Sequence, residues 1–354
     1  MLDRKDLLAL MKRVANADSS APVAYSWNNE SFSYDELTVA LRKELNEIAG
    51  SYSLYRENMH LVHSLMEETL NDILPKKTED AYKMFAEVKT YKQGEKPIFR
   101  RKKSARTRAK QFITRVGLAG KYEVFKLNGT ESFEVPTSAI GGAAQIGFEE
   151  FLDGRVDFAE LTAIIMEGMD ELIYREVAAA LVGAINQLPI ANRIAADDFD
   201  EQAFDRLIAV AAAYGEPVIY CTYDFAVKMI PSKQWMYTDA MKTELWEKGH
   251  FTTYKGKKVI ILPNGFIDET NSARVLDPAY CWIIPTGGDD KPVKIAFEGD
   301  THVKEFENHD WSREIQVYKK VGVVALMTNN ICVYEDTSLK GAATYTHNLG
   351  KITD

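Results

Sequence analysis

One uninterrupted helical pattern near the middle of the sequence constrains the fold more than any other feature. It is predicted to span residues 157–187, beginning at the capping pair Asp157 and Glu160 and ending before Pro189. About 30 residues with a rise of 1.5 Å each form a rod of roughly 45 Å, far longer than the usual three turns. The heptad pattern is too irregular for a coiled coil. The helix must therefore pack along its length on sheet elements.

Helices are also predicted for the first 75 residues, which contain three stretches of apolar residues at helical spacing. The second stretch begins with a capping box, because Ser33 is followed three residues later by Glu36. Pro75 is predicted to end the third helix, since proline disfavours the helical conformation of the residue before it.

Between these helices and the long helix, the pattern changes to short alternating segments with turn signals. Asn128-Gly129 is the plainest turn, since both residues favour the positive φ angles of a tight hairpin. Two antiparallel arms are predicted, one formed by residues 98–101 with 112–116 and the other by residues 121–127 with 131–135. The small-residue stretch 138–147 then leads into the long helix.

The same region holds a concentration of positive charge. Residues 96–122 contain ten lysines and arginines and no acidic residue. Because the whole chain carries −9 and this segment carries +10, the remainder carries −19. The basic residues predicted to form contacts from an extended loop are Arg100, Arg101, Lys102, Lys103, Arg106, Arg108 and Lys110.

Charge alone leaves three interpretations of this basic segment open. It is a solvated loop, a loop that binds nucleic acid through its phosphates, or a loop that lies on the acidic surface of another copy of the chain. Between Lys96 and Lys121, only Phe99 and Phe112 are available to stack on bases, and no recognition-helix or RNA-binding signature surrounds them.

After the long helix, helices and strands are mixed, and the last third of the chain is rich in strands. Because no βαβ repeat occurs, the predicted fold class is α+β. The strands near the C-terminus are expected to cover the apolar face of the long helix, on which lie Ile164, Leu172, Val177 and Leu181. Helices are predicted at residues 200–214, 224–230 and 239–248, and strands at 217–221, 251–254, 258–262, 280–284, 293–298, 302–307, 313–319, 323–327 and 331–335.

Several classes of protein are disfavoured by what the sequence lacks. No apolar run approaches the roughly 18 residues of a membrane span, and the N-terminus lacks the apolar block of a secretory signal. Cys221, Cys281 and Cys332 are far apart and odd in number, which suits a reducing compartment rather than a disulfide framework.

Catalytic and metal-binding patterns are equally weak. No glycine-rich phosphate loop and no nucleophile elbow occurs. Two histidine pairs, His60 with His63 and His302 with His309, lack a third ligand nearby in the sequence. We therefore predict a protein that is not an enzyme and that needs no cofactor or metal.

From about residue 85 to residue 335, the order of these features resembles the major capsid proteins of tailed bacteriophages, whose fold is shared by encapsulin shells. A basic two-stranded loop precedes a long spine helix, and EPVIYC (216–221) resembles a strand of the family's axial domain. YKGKKVIILPN (254–264) resembles the family's strand pair with the pattern Y-x-G-x-x-V-x-x-x-P. The segments AYCWIIP (279–285), KPVKIAFEG (291–299) and REIQVYKKVG (313–322) resemble the strands that return to the peripheral domain and its terminal meander.

The resemblance implies the phage major capsid protein fold, with an N-terminal helical arm, an extended β-hairpin loop, a long spine helix, and peripheral and axial domains. The implied organisation is an N-terminal arm (1–75), the start of the peripheral domain (76–95), the extended loop (96–140), the peripheral domain with the spine helix (141–190, helix 157–187), the axial domain (191–290), a peripheral β-meander that returns to the axial domain (291–336) and a C-terminal tail (337–354).

The resemblance also implies a function, that of a shell protein whose hexamers and pentamers form an icosahedral head around double-stranded DNA. The implied partners are further copies of the chain, a portal and scaffolding or decoration proteins, with no membrane and no sequence-specific DNA contact. The location is the virion, assembled in the host cytoplasm, and the basic loop is expected to contact carboxylates of a neighbouring copy. An encapsulin-type cargo shell and a nucleic-acid-binding protein with a basic loop remain as alternatives.

Overall fold

The chain combines helical regions with two mixed sheets whose neighbouring strands are mostly antiparallel, which confirms the predicted α+β class. The computed structural model describes residues 3–17, 25–27, 30–83, 85–102, 130–146, 158–231, 238–266, 270–271, 273–286, 291–309, 311–326, 330–340 and 343–344. Its helices are α1 (Arg4–Asn16), α2 (Tyr34–Ala49), α3 (Tyr52–Tyr82), α4 (Phe158–Gly183), α5 (Glu201–Ala212), α6 (Tyr223–Lys228) and α7 (Asp239–Lys248). Its strands are β1 (Tyr25–Trp27), β2 (Glu30–Phe32), β3 (Ala86–Tyr91), β4 (Ile98–Lys102), β5 (Thr130–Glu134), β6 (Ser138–Ile146), β7 (Arg193–Ala196), β8 (Glu216–Cys221), β9 (Thr253–Tyr254), β10 (Lys257–Ile261), β11 (Ala273–Arg274), β12 (Tyr280–Thr286), β13 (Val293–Glu307), β14 (Arg313–Ala325), β15 (Cys332–Asp336) and β16 (Ala343–Thr344).

Helices α1, α2 and α3 form the helical region predicted at the N-terminus. The capping box of α2 is present, because the Ser33 hydroxyl accepts a hydrogen bond from the Glu36 amide (3.3 Å) and the Ser33 amide donates one to the Glu36 carboxylate (2.8 Å). The apolar face that follows in the sequence is buried, as predicted, at Leu37, Leu41, Leu45 and Ile48.

Helix α3 is longer than the sequence predicts, since it continues through Pro75 to Tyr82. A proline inside a helix costs about 3 kcal/mol. Leu74, Thr78 and Tyr82 are nevertheless buried on the same side of the chain's core. Burial of side chains on both sides of Pro75 outweighs the local cost, and the prediction that the helix ends there was wrong.

Strands β3, β13, β14 and β6 form a four-stranded sheet in that order. β13 and β14 pair antiparallel over their whole length, with a bulge between Glu298 and His302 where Gly299 has a positive φ of 70°. The sequence predicts two shorter strands in place of each. A glycine in the left-handed conformation lets β13 bend without ending, so its two predicted strands are one long strand. β14 follows β13 along its whole length and is likewise continuous.

The fourth strand, β6, is formed by the small-residue stretch that the sequence analysis assigned to a connection. Its register places Gly141 opposite Tyr318 of β14. A Cβ atom at Gly141 would lie 2.2 Å from the carbonyl oxygen of Val317, so only glycine allows this close pairing.

Helix α4 is the long helix, and it ends at Gly183, before a 3-10 turn at Ile185–Gln187. It lies on the four-stranded sheet, with Met169, Ile173, Val177 and Leu181 in the same core as Val317 and Val321 of β14. Leu172 is partly buried against this core, but Ile164 is 60% exposed. The prediction for Ile164 was wrong, because it lies two residues before the buried Met166 and therefore points to the opposite side of the helix.

A second sheet has six strands in the order β7-β15-β12-β8-β10-β9. β8 and β10 are parallel neighbours, and α6 and α7 lie between them in sequence. β7 and β15 of this sheet are also parallel, as are β3 and β13 of the four-stranded sheet, but these parallel pairs are joined by long connections and form no regular βαβ repeat. The three free cysteines Cys221, Cys281 and Cys332 are buried in this sheet.

The two sheets share one continuous hydrophobic core. Tyr220 and Trp282 of the six-stranded sheet belong to the same buried cluster as Ile295 of the four-stranded sheet, Ile173 of α4 and Leu70 of α3. A second cluster on the other face of the six-stranded sheet is formed with α5 and α6 around Phe204 and Phe225. The N-terminal helices and both sheets are therefore packed as one body.

Candidate subunit interface

The base of the predicted extended loop is a two-stranded antiparallel sheet of β4 and β5. Its register joins Ile98 to Glu134 and Lys102 to Thr130. The predicted pairing of residues 98–101 with 112–116 was wrong, because these residues pair with Thr130–Glu134. The predicted strands 112–116 and 121–127 lie outside the described residues.

Aromatic side chains fix this base to the four-stranded sheet. Phe99 of β4 is fully buried and stacks with Phe133 directly opposite on β5, with ring centroids 6.2 Å apart. Phe99 also contacts the edge of Tyr91 at 5.9 Å, and Tyr91 donates a hydrogen bond to the carbonyl of Ile98 (2.8 Å). Because Phe99 and Val135 are buried against Ala296 of β13, the loop leaves the sheet from a rigid support.

Glu298, at the bulge of β13, connects both sides of this base. Its carboxylate accepts hydrogen bonds from the Gly94 amide (3.3 Å), before β4, and from the Thr137 hydroxyl, after β5. It also forms an ion pair with Lys320 (3.3 Å). The Thr137 hydroxyl is the main cause of the lowered pKa of Glu298, which keeps the carboxylate charged. A charged acceptor thus holds the start and end of the loop against the sheet.

The predicted contact residues begin on strand β4, within the base of the loop. Arg100 is exposed on β4, on the face opposite to the buried Phe99. Arg101 and Lys102 end the strand, and Lys103, Arg106, Arg108 and Lys110 lie outside the described residues.

Lys96, the first basic residue of the segment, forms an ion pair with Glu134 of its own chain (3.1 Å). Both side chains are largely exposed, so the pair contributes little stability. It nevertheless shows that the basic segment already finds one acidic partner within the same chain, at the base of the loop.

A buried polar cluster that the sequence analysis missed joins α3 to the end of the β13–β14 hairpin. Arg313 forms an ion pair with Glu305, and the Tyr55 hydroxyl donates a hydrogen bond to the same carboxylate (2.6 Å). His63 lies 3.1 Å from the Tyr55 oxygen and 3.5 Å from Glu305. Burial lowers the pKa of His63, although the Glu305 charge opposes this effect.

Further along α3, polar side chains take the place of a missing neighbouring strand. β3 pairs with β13 only as far as Glu298. Beyond that point, the Thr301 amide donates to Asn71 (2.7 Å) and the Val303 amide donates to Glu67 (2.7 Å). The buried Lys319 ammonium donates to the same Asn71 oxygen (2.6 Å). Polar residues at every fourth position of a buried helix face were the signal that the sequence offered.

One histidine of each candidate pair has another partner in the structure. His63 is committed to the Tyr55 and Glu305 cluster, and the His302 ring lies 5.3 Å from that of Tyr318. Within the described residues, no three His, Cys, Asp or Glu side chains are grouped so that they could hold a metal ion. None of the described helices is long and apolar enough to cross a membrane.

Solved structures that are similar to this chain include a phage capsid, an encapsulin and a virus-like particle. The mature capsid of bacteriophage PhiM1 is 9% identical, with a TM-score of 0.49, over 72% of this chain and 86% of that chain. The SrpI encapsulin of Synechococcus elongatus PCC 7942 is 11% identical, with a TM-score of 0.44, over 76% of this chain and 91% of that chain. A virus-like particle from Pyrococcus furiosus is 13% identical, with a TM-score of 0.43, over 77% and 99%.

Sequence comparison is more decisive than these structural similarities. No curated protein matches the chain. The protein-family model described as "SPbeta prophage-derived putative capsid protein YonB" matches residues 6–334, which include α2 to α7, the four-stranded sheet and the six-stranded sheet except for the last two residues of β15. A match over this length shows that the chain belongs to the YonB family of prophage-derived capsid proteins.

Proposed function

We propose that this chain is the major capsid protein of a tailed double-stranded DNA phage or prophage, whose copies form the hexamers and pentamers of an icosahedral head. The observation that carries the proposal is the family match over residues 6–334. The match includes the supported base of the extended loop and helix α4, which are the elements expected of a shell subunit. The role is structural rather than catalytic.

The proposed organisation follows the implied domains. The peripheral domain contains the four-stranded sheet and α4, and the axial domain contains the six-stranded sheet. Residues 96–140 form the extended loop, residues 1–75 an N-terminal arm and residues 337–354 a tail. The arm is packed on the body of its own subunit through α1 to α3.

The basic loop is proposed to lie on a neighbouring subunit and to contact its carboxylates. Two features support this arrangement: the loop starts from a rigid base at Phe99, and the rest of the chain carries a large acidic excess. Exposed ion pairs contribute about 0–1 kcal/mol each, but a shell repeats them in every subunit. Arg100, exposed beside that base, is the first of these contact residues.

The proposed partners are other copies of the chain, a portal, and scaffolding or decoration proteins. The genome is proposed to be enclosed without sequence-specific contact. We expect the acidic excess of the chain to face the lumen, where it would repel DNA within a screening length of about 8 Å. Assembly takes place in the host cytoplasm, and the product is part of the virion.

Electron microscopy of the expressed protein tests the function directly. Closed angular shells, or sheets of hexamers, are expected from the chain alone or with a scaffolding protein. A protein that stays monomeric under all conditions of assembly would contradict the capsid function. Nanomolar DNA binding by intact shells would instead favour the nucleic-acid interpretation of the basic loop.

Charge reversal tests the role of the loop. Replacing Arg100, Arg101, Lys102 and Lys103 with glutamate should leave a folded subunit that assembles poorly. The matched control replaces four exposed lysines of the N-terminal helical region, Lys5, Lys43, Lys76 and Lys83, with glutamate. Equal shell yields from both variants would exclude the loop contact.

A further inference from the structure

Helix α7 lacks the packing that a short helix needs. It has ten residues, and none of them is buried. Isolated helices shorter than about 12–15 residues are only marginally stable in water, because the unfavourable free energy of nucleation exceeds the stabilisation from a few hydrogen bonds. The Thr238 cap, the left-handed Gly249 and a hydrogen bond from the Thr252 amide to Glu244 (3.1 Å) hold its ends and one side. Its apolar side chains need a further surface to pack against.

Two apolar side chains in the described chain are far more exposed than all others. Trp246 of α7 is 91% exposed, and Ile190 is 94% exposed. The next most exposed large apolar side chain described is Val39 at 61%. A tryptophan buries about 150–250 Å² of surface when it is covered. An exposed tryptophan therefore lacks one of the largest hydrophobic stabilisations that a side chain can provide.

The two residues lie at opposite edges of the six-stranded sheet. Ile190 begins the 3-10 turn that leads into β7, the outermost strand on one side. Helix α7 precedes β9, the outermost strand on the other side, and is hydrogen-bonded next to it through Thr252. Five strand spacings of about 4.8 Å separate the edges by roughly 24 Å. Within one copy, Ile190 and Trp246 therefore cannot cover each other.

We propose that Trp246 of one copy packs against Ile190 of the next copy, which joins the six-stranded sheets head to tail into a closed ring. A contact between two different surfaces of the same chain is heterologous, and it closes into a ring when the rotation between copies allows. The inference rests on the proposed function and adds to it the surface that forms the capsomer ring.

The occupant of the exposed helix is a second copy of this chain for two reasons. The family is one of capsid proteins, which associate with themselves. In addition, exposed charges of opposite sign lie beside the two apolar residues, while Lys242, one turn before Trp246, is paired with Asp239 of its own helix (3.2 Å). Glu247 is exposed next to Trp246, and Arg193 is exposed three residues after Ile190. Within its own chain, Arg193 binds Asn186 (3.0 Å) and lies 4.0 Å from the buried Glu335 carboxylate. A guanidinium has five N–H donors, so others can still bind a carboxylate of the next copy.

Cysteine cross-linking tests this contact without removing the apolar pair. Ala191 and Glu247 are exposed neighbours of Ile190 and Trp246, and the natural cysteines Cys221, Cys281 and Cys332 are buried. Assembled particles of the double variant Ala191→Cys/Glu247→Cys should give, after mild oxidation, a ladder of multimers that ends at the ring size and disappears on reduction. Each single variant should stay monomeric on the same gel.

Three outcomes would overturn the proposal. The first is the absence of cross-linked multimers in well-formed particles of the double variant. The second is efficient dimer formation by Glu247→Cys alone, which would indicate a two-fold contact between identical surfaces. The third is a full shell yield from Trp246→Ala.

The variant Trp246→Phe should retain more shells than Trp246→Ala, since the phenylalanine side chain keeps an aromatic ring that preserves most of the contact. If the unaltered chain forms no shells or capsomers at all, the capsid function fails rather than this interface.

Discussion

The ion pair between Arg313 and Glu305 allows a sharp test of how α3 is held on the sheet. Replacing Arg313 with methionine keeps the length of the side chain and removes its charge. The two side chains are 9% and 8% exposed, so the Glu305 carboxylate would remain buried without its cation. Its remaining contacts are the Tyr55 hydroxyl and the His63 ring. This makes Arg313→Met a buried-charge variant rather than a simple loss of packing.

The expected cost of Arg313→Met is about 3–5 kcal/mol, because one partner of a buried pair is lost while the other keeps its charge. Adding Glu305→Gln removes that charge, and the amide oxygen still accepts from Tyr55. The cost of the double variant should therefore fall to the roughly 1–3 kcal/mol of an imperfectly paired buried polar group. The second substitution should rescue the first.

Hydrogen exchange read by mass spectrometry can measure this difference locally. Since each 1.4 kcal/mol changes an equilibrium tenfold, amides of α3 and β14 should exchange roughly 10²–10⁴ times faster in Arg313→Met. The increase should be about 10–100 times in the double variant. If the double variant exchanges faster than Arg313→Met alone, the two substitutions act independently, and the reasoning from the buried charge is refuted.

Three further predictions concern helix α4, His63 of α3 and Lys319 of β14. Ile173→Ala should cost about 2–5 kcal/mol in thermal or urea unfolding, whereas Ile164→Ala, on the exposed side, should stay within about 0.5 kcal/mol; equal effects would contradict the assigned face. Because burial lowers the pKa of His63, the unfolded state gains its proton first, so stability should fall as the pH drops below about 6.5, and His63→Gln should reduce this slope. Burial also lowers the pKa of Lys319 to about 8, so stability should rise from pH 8 towards 9.5, a rise that Lys319→Met should remove.

The long helix was predictable because its signal is local. Its apolar period and the proline that follows it are visible in one window of sequence. The identity of its buried side was less certain, since apolar residues occur on more than one side of α4. Met166 and Ile173 are buried in the main core and Ile164 is exposed, and that choice depends on helices and strands that are distant in the sequence.

The strands and the polar cluster were harder to predict because their partners are remote. β4 is recognisable as a strand, but its pairing with Thr130–Glu134 skips the nearer candidate segment 112–116. Tyr55 and Glu305 are 250 residues apart, so no local pattern could bring them together. β6 was missed because Gly141 and its small neighbours have low strand propensity, and only the close approach of β14 explains them.

The continuous core has a consequence for how a shell of this protein could change its diameter. Trp282 and Ile295 come from different sheets yet are buried in one apolar cluster. Sliding or opening one sheet relative to the other would create voids in close-packed apolar material and admit water. Within the described residues, the shared core therefore leaves no low-energy hinge between the two sheets. Any expansion of the particle would have to occur by tilting whole subunits as rigid bodies about the contacts between them.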